Sequence, residues 1–299
     1  MDAQYSGRTV VVGTDGSDSA LDAVRWAAAE AVRRGVPLRV VTAFDWNQEH
    51  PLGQVGLGSD YREIMLKAAR RQLAEAVAVA GETAGADEVE QQLVVGFPIP
   101  VLAAESRRAQ LVVLGDRGYG GVSGLLVGSV SVAMVSRAEC PVVLVRREED
   151  DSVEDRERPV VVGVDGSELS EAAVAFAFDA ASRRGVPLVA VHAWWDQVLD
   201  RVVPLLDWDL IEAEEREVLA ERLAGWGAKY PDVAVERLVT PDRPARALVE
   251  ESRRAQLVVV GSRGRGAAAG LLLGSVSHAV LHRAHCSVAV VRPPAEKKA

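Results

Sequence analysis

The feature that most constrains this chain is that its sequence repeats itself. Three segments return almost unchanged: VVVGTDGS (10–17) as VVVGVDGS (160–167), RRGVPL (33–38) as RRGVPL (183–188), and ESRRAQLVVLG (105–115) as ESRRAQLVVVG (251–261). The first two pairs are offset by 150 residues and the third by 146, so the second copy is four residues shorter. A tandem duplication of this kind predicts two domains with the same fold.

The length of the chain agrees with two domains. Its 299 residues divide into two units of about 150 residues, a common domain size. Between the copies lies RREEDDSVEDRERP (146–159), a charged stretch with few apolar residues to bury, which is typical of a solvated linker. We therefore predict a first domain over 1–147, a linker over 148–158 and a second domain over 159–299.

Within each copy, short apolar runs alternate with longer helical stretches. In the first copy the runs are TVVVG, LRVVTAF, VEQQLVVG, LVVLG and PVVLV. Uninterrupted apolar runs of this length are typical of strands that are buried on both faces of a parallel sheet. Helices are predicted over 17–34, 59–80 and 98–108 and from Ser129 onward. The expected fold class is α/β, with two doubly wound, Rossmann-like domains, each an open five-stranded parallel sheet flanked by helices.

Composition argues against two classes of partner. The net charge of −9 opposes binding to nucleic acid or to anionic lipid. No apolar run approaches the ~20 residues of a membrane-spanning helix, and the first residues do not resemble an export signal. Cys140 and Cys286 occupy equivalent places in the two copies and are expected to be buried, reduced thiols. We expect a cytoplasmic protein with no nucleic-acid or membrane partner.

Three segments of each copy should meet at one edge of the sheet. Asp15 follows the first strand, Ala43 ends the second, and Gly115 ends the fourth and opens a glycine-rich loop. The equivalent residues of the second copy are Asp165, Ala193 and Gly261. Because doubly wound sheets bind ligands at the carboxyl ends of their strands, the sequence predicts one binding site in each copy.

The glycine-rich loops share the spacing GxxGx9GS, in GDRGYGGVSGLLVGSVS (115–131) and GSRGRGAAAGLLLGSVS (261–277). Glycines permit a positive φ and a close approach of backbone N–H groups to an anion. With Ser129 as the N-cap of the following helix, free N–H donors and the positive end of the helix dipole would face the same anion. The hydroxyls of Ser129 and Ser131 could add donors. Phosphate is the expected ligand of these loops.

Neither loop contains the lysine of a Walker P-loop, GxxxxGK[ST]. The lysines of the chain are Lys67, Lys229, Lys297 and Lys298. Phosphate charge would have to be offset by backbone amides, by the helix end, by bound Mg²⁺ and by Arg117 or Arg263. Such a set of groups suits holding a nucleotide better than fast phosphoryl transfer.

The spacing GxxGx9GS after a fourth strand, with VGTDGS ending the first, resembles the ATP-binding branch of the universal stress protein family. The resemblance covers nearly the whole chain in two copies, as in tandem proteins of actinobacteria. It implies that Asp15 and Asp165 contact adenosine, that the backbone around Ala43 and Ala193 holds adenine, and that the loops surround the ribose and phosphates. The expected nucleotide-binding residues are Gly13, Asp15, Ala43, Gly115, Arg117, Gly118, Gly128, Ser129, Val130, Ser131, Gly163, Asp165, Ala193, Gly261, Arg263, Gly264, Gly274, Ser275, Val276 and Ser277.

The resemblance also implies a role. We expect an ATP-binding, non-catalytic protein of the stress or dormancy response that acts through nucleotide-dependent association with a regulatory protein or with itself. Family members commonly pair through their fifth strands, which implies a homo-oligomer or an internal pseudo-dimer. The alternatives are a slow ATPase and an electron-transfer or flavin-type protein on a similar sheet. Because segments 45–59 and 195–207 differ and could cover a bound base, the two sites need not be equivalent.

A cluster of histidines near the end of the chain invites a different interpretation. His278, His282, His285 and Cys286 could form a zinc site. The first copy carries Val132, Ser136 and Glu139 at the first three of these places. A metal site shared by both copies is therefore excluded, and surface or interface histidines are the favoured interpretation.

Overall fold

The computed structural model describes residues 9–45, 58–118, 127–146, 157–167, 170–194, 208–264 and 273–292. The chain divides into two compact units, with the division between Arg147 and Glu148. Most of the predicted linker lies outside the described residues, and so does most of the segments 45–59 and 195–207 that were expected to cover a bound base.

The first unit alternates strands and helices in the predicted order. Its elements are β1 Thr9–Gly13, α1 Asp18–Arg34, β2 Leu38–Phe44, α2 Gly58–Ala84, β3 Val89–Val95, α3 Pro98–Ser106, β4 Ala109–Gly115, α4 Ser129–Arg137 and β5 Val142–Val145. The strands lie in the order β3-β2-β1-β4-β5, and all neighbouring pairs are parallel. The chain thus reverses its direction of travel across the sheet between β1 and β4, where doubly wound sheets bind ligands.

The second unit repeats this architecture. Its elements are β6 Val160–Gly163, α5 Glu171–Arg184, β7 Leu188–Ala193, α6 Trp208–Lys229, β8 Val235–Thr240, α7 Pro244–Glu251, β9 Leu257–Gly261, α8 Ser275–Arg283 and β10 Ser287–Val291. The order is β8-β7-β6-β9-β10, again with parallel neighbours. The predicted α/β fold class, with a five-stranded parallel sheet in each domain, is confirmed.

The central strands account for the uninterrupted apolar runs of the sequence. In β1, Val10, Val11 and Val12 are all fully buried, because helices cover both faces of a parallel sheet. Helix α1 begins after Ser17, whose hydroxyl accepts a hydrogen bond from the Ala20 amide at 3.3 Å. The helix ends at Gly35, whose φ of 62° suits glycine. Among the described residues, no helix combines the length and the apolar character needed to cross a membrane.

One buried ion pair lies on α1. Arg34 Nε donates to Glu30 Oε1 at 2.6 Å, and neither side chain is exposed. A buried pair of this kind contributes less than its geometry suggests, because both charges were taken out of water. Removing one partner is costly, since the other charge stays buried.

We therefore predict that Glu30→Ala lowers the free energy of unfolding of the first domain by about 3–5 kcal/mol. Arg25→Ala is the matched control, because Arg25 pairs with Asp22 on the exposed face of the same helix and should cost no more than about 1 kcal/mol. Urea unfolding followed by circular dichroism measures both. Equal midpoints for the two variants would contradict the prediction.

Candidate functional site

Asp15 lies directly beyond the carboxyl end of β1, and its carboxylate organises the turn into α1. Asp15 Oδ1 accepts from the Ser17 amide at 3.0 Å and from the Ser17 hydroxyl at 2.6 Å. Asp165 Oδ1 accepts from the Ser167 amide at 2.9 Å and from its hydroxyl at 2.6 Å. The first carboxyl oxygen therefore fixes an Asx turn in both domains.

The second carboxyl oxygen of each aspartate faces the glycine loop. A Cβ atom built on Gly264 would lie 2.5 Å from Asp165 Oδ2, and one built on Gly118 would collide with Asp15 Oδ2 in the same way. Only a residue without a side chain lets the loop backbone approach the carboxylate so closely. The structure thus brings together the aspartate and the second glycine of GxxGx9GS in both domains.

The start of the first loop is anchored on α1 through Ser19. The Ser19 hydroxyl donates to Asp116 Oδ1 at 2.8 Å, and Gly115 packs so closely on Ser19 that a Cβ atom would lie 2.7 Å from its carbonyl oxygen. Gly13, expected to bind nucleotide, has a different neighbour: its missing side chain makes room for Leu114. For Gly13, then, packing explains the absence of a side chain.

Gly115, Gly118 and Gly264 are required for close approach and not for a left-handed backbone. Positive φ angles occur elsewhere, at Gly16 and Gly166 for example, but at none of the motif glycines that the structure describes. The described motif glycines are Gly115, Gly118, Gly128, Gly261, Gly264 and Gly274. At these positions the freedom of glycine to adopt a positive φ is therefore not used.

The helix after the first loop begins at Ser129 as predicted, and its counterpart after the second loop begins at Ser275, but neither serine is the N-cap. Gly128 is the N-cap of α4 and Ser129 is its first helical residue; Gly274 and Ser275 play the same parts in α8. No side-chain hydrogen bond caps either helix. The interpretation of Ser129 as the N-cap was wrong, but the consequence remains that each helix begins with uncapped backbone donors at the end of the loop.

Ser131 and Ser277 hold the loop and do not present a free hydroxyl hydrogen. The Ser131 hydroxyl donates to the Gly115 carbonyl at 2.8 Å, and the Ser277 hydroxyl donates to the Gly261 carbonyl at 2.5 Å. Each bond ties the first turn of the helix to the end of the fourth strand of its domain. The Ser131 hydroxyl was expected to donate to a ligand, but in the structure its hydrogen is used within the protein.

In the second domain, the candidate residues surround a cavity of about 490 Å³. All ten residues expected there line it: Gly163, Asp165, Ala193, Gly261, Arg263, Gly264, Gly274, Ser275, Val276 and Ser277. The volume falls within the roughly 300–1,000 Å³ of small-molecule pockets. The ends of β6, β7 and β9 thus meet around one space.

His192 and Glu215 also line this cavity. They were not predicted from the sequence as a pair. His192 is only 1% exposed; its Nδ1 lies 2.7 Å from the Val164 carbonyl oxygen and its Nε2 lies 2.6 Å from Glu215 Oε2. Glu215 belongs to α6, and both residues border the cavity. The sequence signal for this pair is a difference between the two copies, because the first copy has Thr42 and Ala69 at the places of His192 and Glu215.

Arginines provide positive charge near the loops. Arg263 lines the cavity, and burial together with the nearby Arg263 charge lowers the pKa of the Arg292 guanidinium. In the first domain, Arg117 Nε lies 3.9 Å from Asp116 Oδ2, whereas the second domain has Ser262 at the place of Asp116. The second loop therefore has fewer negative charges beside its arginine.

The histidine cluster does not form a metal centre among the described residues. His278 and His282 lie one turn apart on α8 with ring centroids 4.5 Å apart. No group of three or more His, Cys, Asp or Glu side chains suited to a metal occurs in the described ranges.

Comparisons with known proteins give a consistent result. The profile of the Universal stress protein family matches residues 7–146 and 157–292. Universal stress protein Rv2005c of Mycobacterium tuberculosis is 46% identical over 289 residues, covering 95% of this chain and 96% of the relative. Universal stress protein Rv2623 of the same species is 42% identical over 298 residues, covering 98% and 99%. A universal stress protein structure from Archaeoglobus fulgidus matches with a TM-score of 0.70 at 21% identity, covering 99% of this chain and 100% of that one.

The two serines of α4 provide a test of the internal role of Ser131. We predict that Ser131→Ala lowers the free energy of unfolding by about 1–2 kcal/mol, because it removes a buried hydrogen bond to the Gly115 carbonyl. Ser129→Ala, two residues earlier on the exposed side of the helix, should change it by less than about 0.5 kcal/mol. Thermal or urea unfolding distinguishes them, and a neutral Ser131→Ala would contradict the assignment.

Proposed function

Because the chain belongs to the universal stress protein family, with two copies of the domain in tandem, we propose that each domain binds one adenine nucleotide, ATP with Mg²⁺. The bound nucleotide controls association with a regulatory protein or with a second copy of the chain. The role is in a stress or dormancy response. Binding, and not turnover, is the proposed activity.

The observation that carries the proposal is the convergence around the cavity of the second domain. The ten residues expected from the sequence and its family resemblance to bind nucleotide in this domain border one space of about 490 Å³. The same Asp–Gly approach occurs in the first domain. A spaced motif that only formed a tight turn would not require residues from three separate strand ends to share a cavity.

The donor chemistry fits the phosphates of a nucleotide. The uncapped first turns of α4 and α8 supply backbone N–H groups and the positive end of a helix dipole. Gly118 and Gly264 let the loop backbone lie close to the aspartate, and Arg117 and Arg263 add positive charge. On the proposed function, Ser129 and Ser275, at the first helical position, contact the same anion.

Adenosine fits the other end of the site. On the proposed function, Asp15 and Asp165 contact the adenosine portion, and the backbone at Ala43 and Ala193 holds the base. Ala193 and Asp165 border the cavity on the side of β7 and β6. Mg²⁺ would enter with the triphosphate and offset its charge, as it does in other nucleotide sites.

We predict that Gly118→Ala and Gly264→Ala each reduce Mg-ATP binding from two nucleotides per chain to one. The new Cβ displaces the aspartate or the loop, and the affected site should weaken roughly tenfold or more. Isothermal titration calorimetry on the full chain measures the stoichiometry. Gly225→Ala is the control, because that glycine lies on α6 with open space around its Cα. Two full-strength sites in either loop variant would refute the assignment of that loop.

Turnover separates the proposal from the slow-ATPase alternative. We expect phosphate release from Mg-ATP to stay at background in wild-type protein. Release that scales with protein concentration and disappears in Asp15→Ala/Asp165→Ala would establish the ATPase instead. The double variant must bind Mg-ATP measurably at the concentration used, since lost binding would mimic lost catalysis.

A further inference from the structure

We propose that Glu215, positioned by His192, makes the second site selective for a base with an exocyclic amino group over one with a carbonyl at the same place. The inference rests on the proposed nucleotide binding and assigns a specificity-determining residue to the second site. No such side chains occur at the equivalent places of the first domain.

The hydrogen bonds of His192 restrict where protons can be. A carbonyl oxygen only accepts, so Nδ1, 2.7 Å from Val164 O, must carry a hydrogen. One further proton must then lie between Nε2 and Glu215 Oε2, which are 2.6 Å apart. It belongs either to an imidazolium facing a carboxylate or to a neutral carboxylic acid facing an imidazole.

In both protonation states the other oxygen of Glu215 is an acceptor. If the carboxylate is ionised, Oε1 is a carboxylate oxygen; if the proton is on Oε2, then Oε1 is the carbonyl oxygen of the acid. Oε1 takes no hydrogen bond from any described residue, and the Glu215 side chain is 24% exposed at the cavity wall. A ligand that contacts this wall can therefore form a hydrogen bond with Glu215 Oε1 only by donating an N–H or O–H.

The charge distribution of the cavity determines which part of a nucleotide reaches Glu215. Arg263 and the start of α8 lie at the β9 side, and Glu215 and His192 lie at the β7 side. In the strand order, β6 separates β7 from β9, so the two sides are roughly 10 Å apart. Phosphates are attracted to the first side and disfavoured by the second, which leaves the base beside Glu215.

The first domain lacks this acceptor. The offset of 150 residues places Thr42 at the position of His192, and the offset of 146 places Ala69 at the position of Glu215. The buried Leu73 and Leu219 confirm the second alignment, because they lie on the equivalent helices at the same offset. Both members of the polar pair are absent together, so the chain itself contains a natural control site.

The test compares ATP with inosine triphosphate, which replaces the amino group of adenine by a carbonyl. In Gly118→Ala protein, which on the proposed function retains only the second site, we expect ATP to bind at least tenfold more tightly than inosine triphosphate. Adding Glu215→Ala should lower this preference about tenfold, because it removes the acceptor that the amino group of adenine would meet. Adding Glu214→Ala, at an exposed neighbour on α6, should leave it unchanged.

His192 acts through Glu215, and a double-mutant cycle tests that dependence. His192→Thr should reduce the preference for ATP when Glu215 is present and leave it unaltered in a chain that already carries Glu215→Ala. If His192 had only a structural role, His192→Thr would lower the affinities for ATP and inosine triphosphate equally and leave the ratio of the two affinities unchanged. In Gly264→Ala protein, which retains the first site, none of these substitutions should change the ratio.

The outcomes separate the two proposals. If neither Gly118→Ala nor wild-type protein binds any nucleotide, the proposed function fails and this inference fails with it. If nucleotide binds to the second site but Glu215→Ala leaves the preference for ATP unchanged, the inference alone is overturned. Thermal unfolding of each variant confirms that the ratios refer to folded protein.

Discussion

The contact between an aspartate carboxylate and the α-carbon of a glycine is the constraint on which the candidate sites depend. Asp15 and Asp165 each use one oxygen to fix the turn into the next helix, and the other oxygen lies against Gly118 or Gly264. The contact joins the end of the first strand of each sheet to the loop after the fourth. A side chain at either glycine would move the loop away from the end of the first strand, and the candidate site needs both.

The same scaffold supports two candidate sites that differ in their lining side chains. Three features recur in both domains: the aspartate turn, the hydroxyl of Ser131 or Ser277 bonded to the fourth strand, and the uncapped start of a helix. They depend on aspartate, serine and glycine residues that are identical in the two copies. The differences lie in side chains that line the cavity, where His192 and Glu215 can vary without disturbing the sheet. Specificity can therefore diverge between domains while the fold stays the same.

The sequence predicted the fold and the convergence of strand ends well, because both follow from periodicity and from the geometry of parallel sheets. It was less accurate about local backbone. Ser129 resembles an N-cap residue, yet Gly128 takes that position. The His192–Glu215 pair could not be predicted from spacing, because 23 residues separate its members and the rotation of α6 against β7 is a tertiary property. Comparing the two copies position by position would have revealed it, since both polar residues replace small ones.

The absence of a loop lysine is consistent with the proposed separation of binding from turnover. Backbone N–H groups and a helix end stabilise the charge that phosphates carry in the ground state, and they do so with fixed, neutral dipoles. Fast phosphoryl transfer requires, in addition, a cation that follows the charge developing on the transferred group and a side chain that orients the attacking water. Arg117 is largely exposed, with 61% of its side chain accessible, and its Nε lies 3.9 Å from Asp116 Oδ2, which offsets part of its charge. On the proposed function, the nucleotide stays bound long enough to report its presence through the surface of the domain, and its hydrolysis is not needed for that signal.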